Sequence, residues 1–427
     1  MSDFSSGAIV DDDLDFSAAQ SRSKSREAVG AKAAAWGGKG LNIAIGISAV
    51  VMVAGIALWF MQLSGGMVQT GMRNLSSWGL YITSFMFFVG LSAGGLIVAS
   101  SASVFHVAEY KKVALPAVIM STVCICVAAA FVIVDLRSPE KMWRLFTGPN
   151  PFSPLTWDVC IISIYLIINI IDIVFIVRGD ERKVTVLSWF ALPCAILVHS
   201  VTAWIFALQV ARMWYTAIMA PIFIVSACDS GLALLLLGLM WLERANIFHA
   251  GEALMKSLAG LLATFLAVDA FLLVCELLTM GYPGADEAQA LSVILSGAGA
   301  PYFWFEIVGG LIVPFAILVV AKNRGKRGLV ALSSVLVIAG VACKRIWLLF
   351  TGFVAPYAEG SPVVMSWAHG GDALSATGLG AFYAPTVPEL VILVGVIALG
   401  ALAFMVLSQR LIAVRCTVEE TEPAPKA

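Results

Sequence analysis

The sequence predicts an all-α polytopic membrane protein with about ten transmembrane helices. Hydrophobic residues make up 60% of the 427 residues, and charged residues make up only 12%. Soluble domains are usually about 45–50% apolar and about 25% charged. Apolar runs long enough to cross a hydrocarbon core of roughly 30 Å recur along almost the whole chain.

The two ends of the chain differ from this apolar middle. Residues 1–41 are polar, first acidic and then basic, and they lack the apolar run of a signal peptide. We predict a disordered cytoplasmic tail there. Residues 42–409 form the predicted transmembrane domain, and residues 410–427 form a second predicted cytoplasmic tail.

The apolar periodicity and its polar interruptions define the spans in order. The predicted helices run over residues 42–63, 78–105, 114–134, 157–177, 185–209, 216–241, 256–279, 301–321, 329–350 and 387–408. Polar segments such as GDERK and KNRGKRG separate neighbouring spans. Pro154, Pro301 and Pro388 lie near helix starts, where a missing N–H costs little.

The distribution of Lys and Arg predicts the orientation. If the N-terminus is inside, the inner segments carry nineteen of these cations and the outer loops carry five, with Lys344 and Arg345 left out because they lie within a span. Both termini should therefore be cytoplasmic, in the cytoplasmic (inner) membrane of a bacterium or archaeon. The long loops 135–156, 280–300 and 351–386 then share the outer face, which favours a docking surface or a covered cavity.

Ionisable side chains within the spans are costly and usually face a partner, a cavity or a proton path. The candidates are Asp135, Asp158, Asp172, His199, Asp229, Asp269, Glu276, Glu306, Lys344 and Arg345. Structural hydrogen bonding is the alternative for all of them, and those near the outer boundary can also be interfacial groups.

The sequence gives little support for a redox cofactor held by this chain. Its eight cysteines include no C-x-x-C pair, so neither an iron–sulfur cluster nor a zinc site is expected. Of its four histidines only His199 lies deep within a span, which disfavours a haem b held by two histidines. Diiron and copper sites would need clustered ligands, and we expect no metal site and no nucleic-acid partner.

Four blocks of the chain resemble one family of membrane subunits. The first is WGLYITSFMFFVGLSAGG (78–95), and the second is DLRSPEKMWRLFTGPNPFSPLTWD (135–158). The third runs from Pro193 to Gly231, and the fourth combines FWFEIVGGLIVP (303–314), the KR pair at 344–345 and YAPTVPE (383–389). Together these blocks resemble the NrfD/PsrC family, the membrane subunits of polysulfide reductases. The ten-span branch, with the HybB, DsrP, QrcD and alternative complex III membrane subunits, is the most similar.

The resemblance implies a fold and a function. Spans 2–5 and 6–9 would form two four-helix bundles, flanked by the first and last helices. The chain would be a subunit of a quinone-linked respiratory oxidoreductase, without the catalytic centre and without a redox cofactor of its own. It would exchange electrons between quinone, with menaquinone expected, and a four-cluster ferredoxin-like iron–sulfur subunit on the outer face. That partner would serve a catalytic subunit, often a molybdopterin enzyme.

Quinone chemistry needs an apolar slot, hydrogen bonds to two carbonyl groups and a proton route. The predicted quinone-binding residues are Trp78, Tyr81, Asp135, Trp157, Asp158 and Tyr165. The predicted proton relay comprises His199, Asp269, Glu276, Glu306 and Arg345, although these charges can equally hold the second bundle together. Gly90 and Gly94 form a G-x-x-x-G pair about 18–26 Å from the outer end, where they let the first bundle close or admit the quinone tail.

Two other classes of protein fit the same sequence. A secondary transporter would also have ten spans with glycine-rich breaks, and the doublets Gly94–Gly95 and Gly309–Gly310 hint at an internal repeat. A membrane anchor would lack the quinone site. The terminal substrate, the direction of electron flow and proton pumping stay open.

Overall fold

The computed structural model describes residues 38–72, 77–104, 107–209, 213–282, 286–354 and 383–421. These segments contain ten long helices and no strand. The long helices are α1 Gly38–Gly65, α2 Leu80–Val104, α3 Ala114–Asp135, α4 Pro154–Arg178, α5 Glu181–Ala207, α6 Met219–Arg244, α7 Glu252–Gly281, α8 Ala300–Val319, α9 Arg327–Val354 and α10 Val387–Thr421.

Each predicted span coincides with one of these helices, so the predicted fold class is confirmed. Most ends lie within four residues of the predicted ones. The exception is α10, which continues to Thr421 through residues that the sequence analysis assigned to the tail. The helix continues because Ile412 and Ala413 are buried against the rest of the protein. Most of residues 1–41, part of the loop 351–386 and residues 422–427 lie outside the described residues.

The pattern of burial is that of a multi-pass integral membrane protein. All ten helices are long and apolar enough to cross a bilayer. Large apolar side chains such as Ile47 and Phe271 are exposed on their surfaces, whereas Ser92, Asn169 and Thr202 are fully buried. In α4 the buried residues are Asp158, Tyr165, Asn169 and Asp172, all of them polar. Polar side chains avoid lipid by facing other helices.

The alternating helix directions give the molecule two ends. Contacts of Trp78 with Phe206 and Phe353, and of Leu80 with Tyr383, bring one set of helix ends together. We call this end the Trp78 face. The opposite end, where the Lys111–Glu181 and Arg327–Glu243 ion pairs lie, is called the Lys111 face.

Helix α2 lies at the centre and contacts α3, α5, α6 and α9. Helices α2 to α5 contact one another in a ring, and so do α6 to α9. These contacts are compatible with two four-helix bundles, and that division stays a prediction. Helix α1 packs mainly against α10, which in turn packs against α3.

Three helix pairs cross with glycine against glycine. A Cβ atom added to Gly231 of α6 would lie 2.7 Å from the Cα of Gly94 in α2. The pairs Gly310–Gly340, between α8 and α9, and Gly55–Gly395, between α1 and α10, are equally close. Since no side chain fits at these crossings, the backbones touch directly, as small residues allow in membranes.

Helix α8 is irregular in its middle. Residues Phe305–Ile312 form a π-helical segment between Ala300–Trp304 and Val313–Val319. Pro314 lies two residues after its end and has no N–H to continue the α-helical hydrogen bonding. Segments of π-helix are frequent at functional sites, and this one carries Glu306 and Gly310.

Candidate functional site

Four aromatic side chains surround the start of α2 on the Trp78 face. The ring centroid of Trp78 lies 5.4 Å from that of Phe206 and 6.3 Å from that of Phe353. Trp214 lies 5.6 Å from Phe206 and 5.5 Å from Phe353. Trp78 is half-buried and the other three are buried. We call these four residues the aromatic cluster; only Trp78 opens to the surface.

The aromatic contacts continue inward to a buried polar centre. Phe206 lies 6.3 Å from Phe223, and Phe223 lies 5.4 Å from the ring of His199. The guanidinium carbon of Arg345 lies 3.8 Å from the centroid of Phe223, a cation–π arrangement. Arg345 donates a hydrogen bond to Ser226 Oγ at 2.7 Å, and its Nη2 lies 3.4 Å from His199 Nε2. Because a guanidinium group only donates, the second contact requires an unprotonated Nε2.

Gly90 explains how His199 fits beside α2. A Cβ atom at position 90 would lie 3.3 Å from His199 Cε1, closer than most such contacts. Gly94, one turn further, packs against α6 rather than within helices α2 to α5. The glycines of the VGLSAGG segment therefore bring α5 and α6 close to α2.

A second buried group joins α7, α8 and α9. Lys344 Nζ lies 2.9 and 3.0 Å from the two carboxylate oxygens of Asp269 and 3.2 Å from Glu306 Oε1. Trp347 Nε1 donates to Glu306 Oε2. We call Asp269, Glu306 and Lys344 the lysine–carboxylate cluster. A buried ion is tolerated only with such partners.

Two further carboxyl groups lie beside this cluster. Asp229 lies beside Asp269 and within electrostatic range of Lys344, and both of its carboxylate oxygens are buried. Glu276 is 5% exposed and is also within range of Lys344. With Arg345, two cations therefore face four carboxyl groups in this part of the membrane domain.

Small cavities flank the lysine–carboxylate cluster on both sides. One is lined by Phe223, Glu276, Lys344, Arg345 and Trp347 among others. The other is lined by Asp229, Asp269, Glu306, Gly310 and Gly340 among others. Their volumes, about 10 Å³ and less, are at or below the space that one water molecule needs.

Two of the predicted quinone-binding residues lie in a separate polar group on the Trp78 face. The Tyr81 hydroxyl donates to Gln62 Oε1 at 2.7 Å, and Gln62 Nε2 donates to the carbonyl oxygen of Val134 at 3.3 Å. Asp135, the next residue, is within electrostatic range of Glu389, and its buried Oδ1 accepts no hydrogen bond from a described residue.

Glu389 has a clear structural role beside this group. It accepts hydrogen bonds from the backbone N–H groups of Gly71 and Thr386, both at 2.8 Å, and from the Tyr383 hydroxyl. Burial raises the pKa of Tyr383, and its bond to Glu389 adds to the shift, so the phenol stays a donor. Glu389 thereby joins the start of α10 to the segment before α2.

Asp158 is linked through Thr202 to the turn of α5 that carries Phe206 of the aromatic cluster. It is 4% exposed, and Thr202 Oγ1 donates to its Oδ1 at 2.7 Å. Thr202 precedes Phe206 by four residues, one turn of α5. The neighbouring Trp157 is 38% exposed and donates from Nε1 to the carbonyl oxygen of Pro151 at 2.7 Å.

Tyr165 lies deeper, in a hydroxyl network. It is fully buried and lies 3.1 Å from Ser92 Oγ and 2.8 Å from Ser121 Oγ. Asn169 Nδ2 also donates to Ser121 Oγ, at 3.2 Å. This network joins α2, α3 and α4.

The structure thus divides the predicted site residues. Trp78 is linked through Phe206 and Phe223 to His199 and Arg345, and Asp158 lies near the same aromatic cluster. Asp269 and Glu306 share Lys344. The other predicted quinone-binding residues lie in three separate places. Tyr81 and Asp135 share one polar group, Trp157 lies at the start of α4, and Tyr165 lies in the hydroxyl network.

Several contributing residues were missed by the sequence analysis. They are Gln62, Thr202, Phe223 and Ser226. Ser226 and Thr202 carried a weak signal, since each lies three residues from a buried ionisable residue on its own helix, Asp229 on α6 and His199 on α5. No group of three or more His, Cys, Asp or Glu able to hold a metal ion occurs within the described ranges.

Ten membrane helices enclose buried ion pairs and an aromatic cluster. Buried ionisable residues of this kind are typical of polytopic membrane proteins that act within the bilayer. The chain belongs to the family described as "Polysulphide reductase, NrfD", which it matches over residues 68–356.

Relatives of the chain are found in archaea and bacteria. It is 34% identical to a putative membrane subunit of dimethyl sulfoxide reductase from Halobacterium salinarum over 386 residues, 84% of this chain and 89% of that one. It is 27% identical to a selenate reductase subunit from Mesobacillus selenatarsenatis, with 73% and 82% covered. It is 28% identical to the "Hdr-like menaquinol oxidoreductase integral membrane subunit" of Archaeoglobus fulgidus, with 84% and 90% covered.

Proposed function

We propose that this chain is the quinone-exchanging membrane subunit of a respiratory oxidoreductase complex. The relatives support this class, since their names assign them to dimethyl sulfoxide reductase, selenate reductase and a menaquinol oxidoreductase. The observation that carries the site is the buried Asp158 carboxylate, held by Thr202 one turn from Phe206 of the aromatic cluster.

The quinone ring binds next to Trp78, where the aromatic cluster reaches the surface. An apolar slot with a few polar groups is the usual form of such a site. When quinol is oxidised, two electrons leave to the partner subunit and two protons leave the hydroxyl groups. Asp158 takes up a proton at the ring, and Asp135, with its unpartnered Oδ1, exchanges protons near the surface. Tyr81 orients Gln62 beside it, Trp157 borders the entrance, and Tyr165 fixes the base of the bundle.

The polar centre and the lysine–carboxylate cluster form the proton relay. His199 and Arg345 lie at the inner end of the aromatic contacts. Asp269, Glu306 and Glu276 lie beyond them, next to the two small cavities. Buried carboxyl groups that lie in series are suited to passing protons through a membrane domain.

The iron–sulfur partner docks on the Trp78 face, which is the outer face in the predicted orientation. Exposed aromatic side chains mark this surface, among them Trp143, Phe146 and Phe152. Aromatic residues are enriched in protein interfaces. The partner passes electrons to a catalytic subunit, of the molybdopterin class in our proposal, and menaquinone is the proposed quinone. Both termini lie on the cytoplasmic side.

Purification of the intact complex tests this function. Extraction in mild detergent, followed by mass spectrometry of lipids and subunits, should find bound quinone together with an iron–sulfur protein. An iron–sulfur partner without bound or exchangeable quinone would indicate a simple anchor. Absence of any such partner, with transport of a solute by the purified chain, would favour a transporter.

Substitution of the two outer carboxylates tests the site. Asp158→Asn should lower quinol-linked electron transfer about 100-fold, because general acid–base groups contribute roughly that much or more. Asp135→Asn should raise the KM for quinol with a smaller loss of kcat. Ser163→Ala is the control, since Ser163 lies on the same helix and donates only to the carbonyl oxygen of Val159. Wild-type turnover in an assembled Asp158→Asn complex would remove Asp158 from the site.

A further inference from the structure

Trp214 of the aromatic cluster carries a buried polar atom that the proposed function does not use. Its side chain is fully buried, and its Nε1–H donates to no acceptor among the described residues. The indole N–H groups of Trp157, Trp304 and Trp347, by contrast, all donate to oxygen atoms of the protein. A buried donor without an acceptor costs free energy, so its presence calls for an explanation.

The backbone of Gly352 determines the direction of this N–H group. A Cβ atom added to Gly352 of α9 would lie 2.4 Å from Cζ3 and 2.5 Å from Cε3 of the Trp214 ring. These two carbons lie on the edge of an indole that is opposite Nε1. The six-membered ring therefore packs against the α9 backbone, and the N–H group is directed away from it.

Trp214 shares its surroundings with Trp78. Both indoles contact Phe206 and Phe353, with ring centroids 5.4–6.3 Å apart and interplanar angles of 77–86°. Trp78 is the half-buried member of the cluster, so a ligand that enters beside it meets the two phenylalanines and then Trp214. The unused donor thus lies at the inner side of the slot in which the quinone ring is proposed to bind.

The donor and its surroundings select one kind of ligand group. An indole N–H donates and cannot accept, so the ligand must present oxygen lone pairs to it. The ligand must also be flat and apolar, because its other neighbours are the edges and faces of aromatic rings. A metal cation offers no lone pairs, and an acyl chain offers no acceptor. The carbonyl group of a quinone ring satisfies both requirements.

We propose that Trp214 Nε1–H donates a hydrogen bond to one oxygen of the bound quinone. Asp158 exchanges its proton at the other oxygen of the same ring. Trp214 is then the fixed donor that sets the orientation of the ring relative to Asp158. This inference rests on the proposed function, because it takes the aromatic cluster as the quinone site.

Titration of the purified complex with a short-chain menaquinone tests the proposal. Trp214→Phe keeps an aromatic ring in the cluster and removes the N–H group. The Kd should rise about tenfold, which corresponds to about 1.4 kcal/mol and to the loss of one hydrogen bond. Trp59→Phe is the matched control and should leave the Kd unchanged. The Nε1 atom of Trp59 is also buried without an acceptor, but it lies on α1 and outside the aromatic cluster.

Two further measurements separate a direct hydrogen bond from altered packing. Replacement of Trp214 by 3-benzothienylalanine keeps the shape of the indole without its N–H group, and it should weaken binding as much as Trp214→Phe does. Infrared difference spectra with carbonyl-labelled quinone should show one C=O band at lowered frequency in the wild-type complex and in Trp59→Phe. This band should return toward the frequency of free quinone in both Trp214 variants.

The outcomes distinguish this inference from the function on which it rests. Quinone that binds the wild-type complex and both Trp214 variants equally well would overturn the role of Trp214 and leave the proposed function intact. An unshifted C=O band in the wild-type complex would overturn it as well. A wild-type complex that binds no quinone would contradict the proposed function itself, and this inference with it.

Discussion

Lys344 is a lysine placed in the middle of a membrane helix, with two carboxylates within 3.2 Å. Its neighbour Arg345 is fully buried as well, but its contacts are with Phe223, Ser226 and His199. Consecutive residues on a helix point about 100° apart. The pair therefore serves two different groups, one between α7 and α8 and the other between α5 and α6.

Loss of the Lys344 cation should destabilise the protein strongly. Lys344→Met leaves Asp269 and Glu306 buried without their cation, and breaking a buried ion pair costs about 3–5 kcal/mol. The measurement is unfolding of the purified protein in detergent. The double variant Lys344→Met/Asp269→Leu should recover much of the loss, since a matched apolar pair avoids the buried charge.

An exposed ion pair supplies the control for that experiment. Lys256 and Glu252 lie 2.7 Å apart at the start of α7, with 47% and 68% of their side chains exposed. Lys256→Met should change stability by less than about 1 kcal/mol. If Lys344→Met proved as mild as Lys256→Met, the lysine–carboxylate cluster would not be a stabilising group.

At this scale the sequence predicts which ionisable residues lie within the spans but not which side chains they contact. Ionisable residues within apolar runs are conspicuous, so Asp158, His199, Asp269 and Glu306 could be selected from the sequence. Their partners Thr202, Phe223 and Ser226 are ordinary residues of membrane helices. Each becomes a partner only through the rotation of its helix, which the apolar pattern leaves undetermined because lipid and protein interiors are both apolar.

At the scale of elements, glycines decide how closely the helices approach. The G-x-x-x-G spacing of Gly90 and Gly94 predicts a flat helix surface, and this surface is present. From the sequence, this surface is predicted to close helices α2 to α5 or to admit a quinone tail, whereas Gly94 packs against Gly231 of α6. The spacing identifies a surface but contains no information about its partner. The π-helical segment of α8 was not predicted either, since its apolar pattern resembles that of an ordinary helix.

Substitution of Gly94 should separate α2 from α6. A Cβ atom there would collide with the backbone of Ala227, which cannot move without shifting the whole helix. We expect Gly94→Ala to lower the unfolding free energy by about 1–3 kcal/mol, as overpacking does. Thermal unfolding in detergent measures the loss.

Gly46 of α1 is the matched control, because no heavy atom lies within 4 Å of an added Cβ. Gly46→Ala should be neutral or stabilising by up to about 1 kcal/mol, as alanine favours a helix over glycine. A Gly94→Ala protein as stable as the Gly46→Ala protein would contradict direct backbone contact between α2 and α6.

At the scale of the whole molecule, the ten helices could be predicted well because each span is long, apolar and bounded by polar segments. The orientation rests on the cation distribution alone. In the predicted topology, Phe152 on the Trp78 face is outside, and Lys326 on the Lys111 face is inside. Both side chains are exposed.

Thiol labelling of intact cells tests this topology. Phe152→Cys should react with a membrane-impermeant maleimide, whereas Lys326→Cys should react only after the membrane is permeabilised. The wild-type chain, with its eight cysteines, gives the background. The reverse pattern would place the iron–sulfur partner and the proposed quinone site on the cytoplasmic side.

The pairing of α1 with α10 has a consequence for biosynthesis. Only 6% of the residues in the most apolar stretch of α1 are buried. The main partner of α1 is the last helix, and the two helices touch at Gly55 and Gly395. At about ten residues per second, the ribosome needs roughly half a minute to pass from one glycine to the other. During that time α1 is surrounded by lipid on nearly every side. A truncated protein that ends before α10 would leave α1 permanently exposed to lipid.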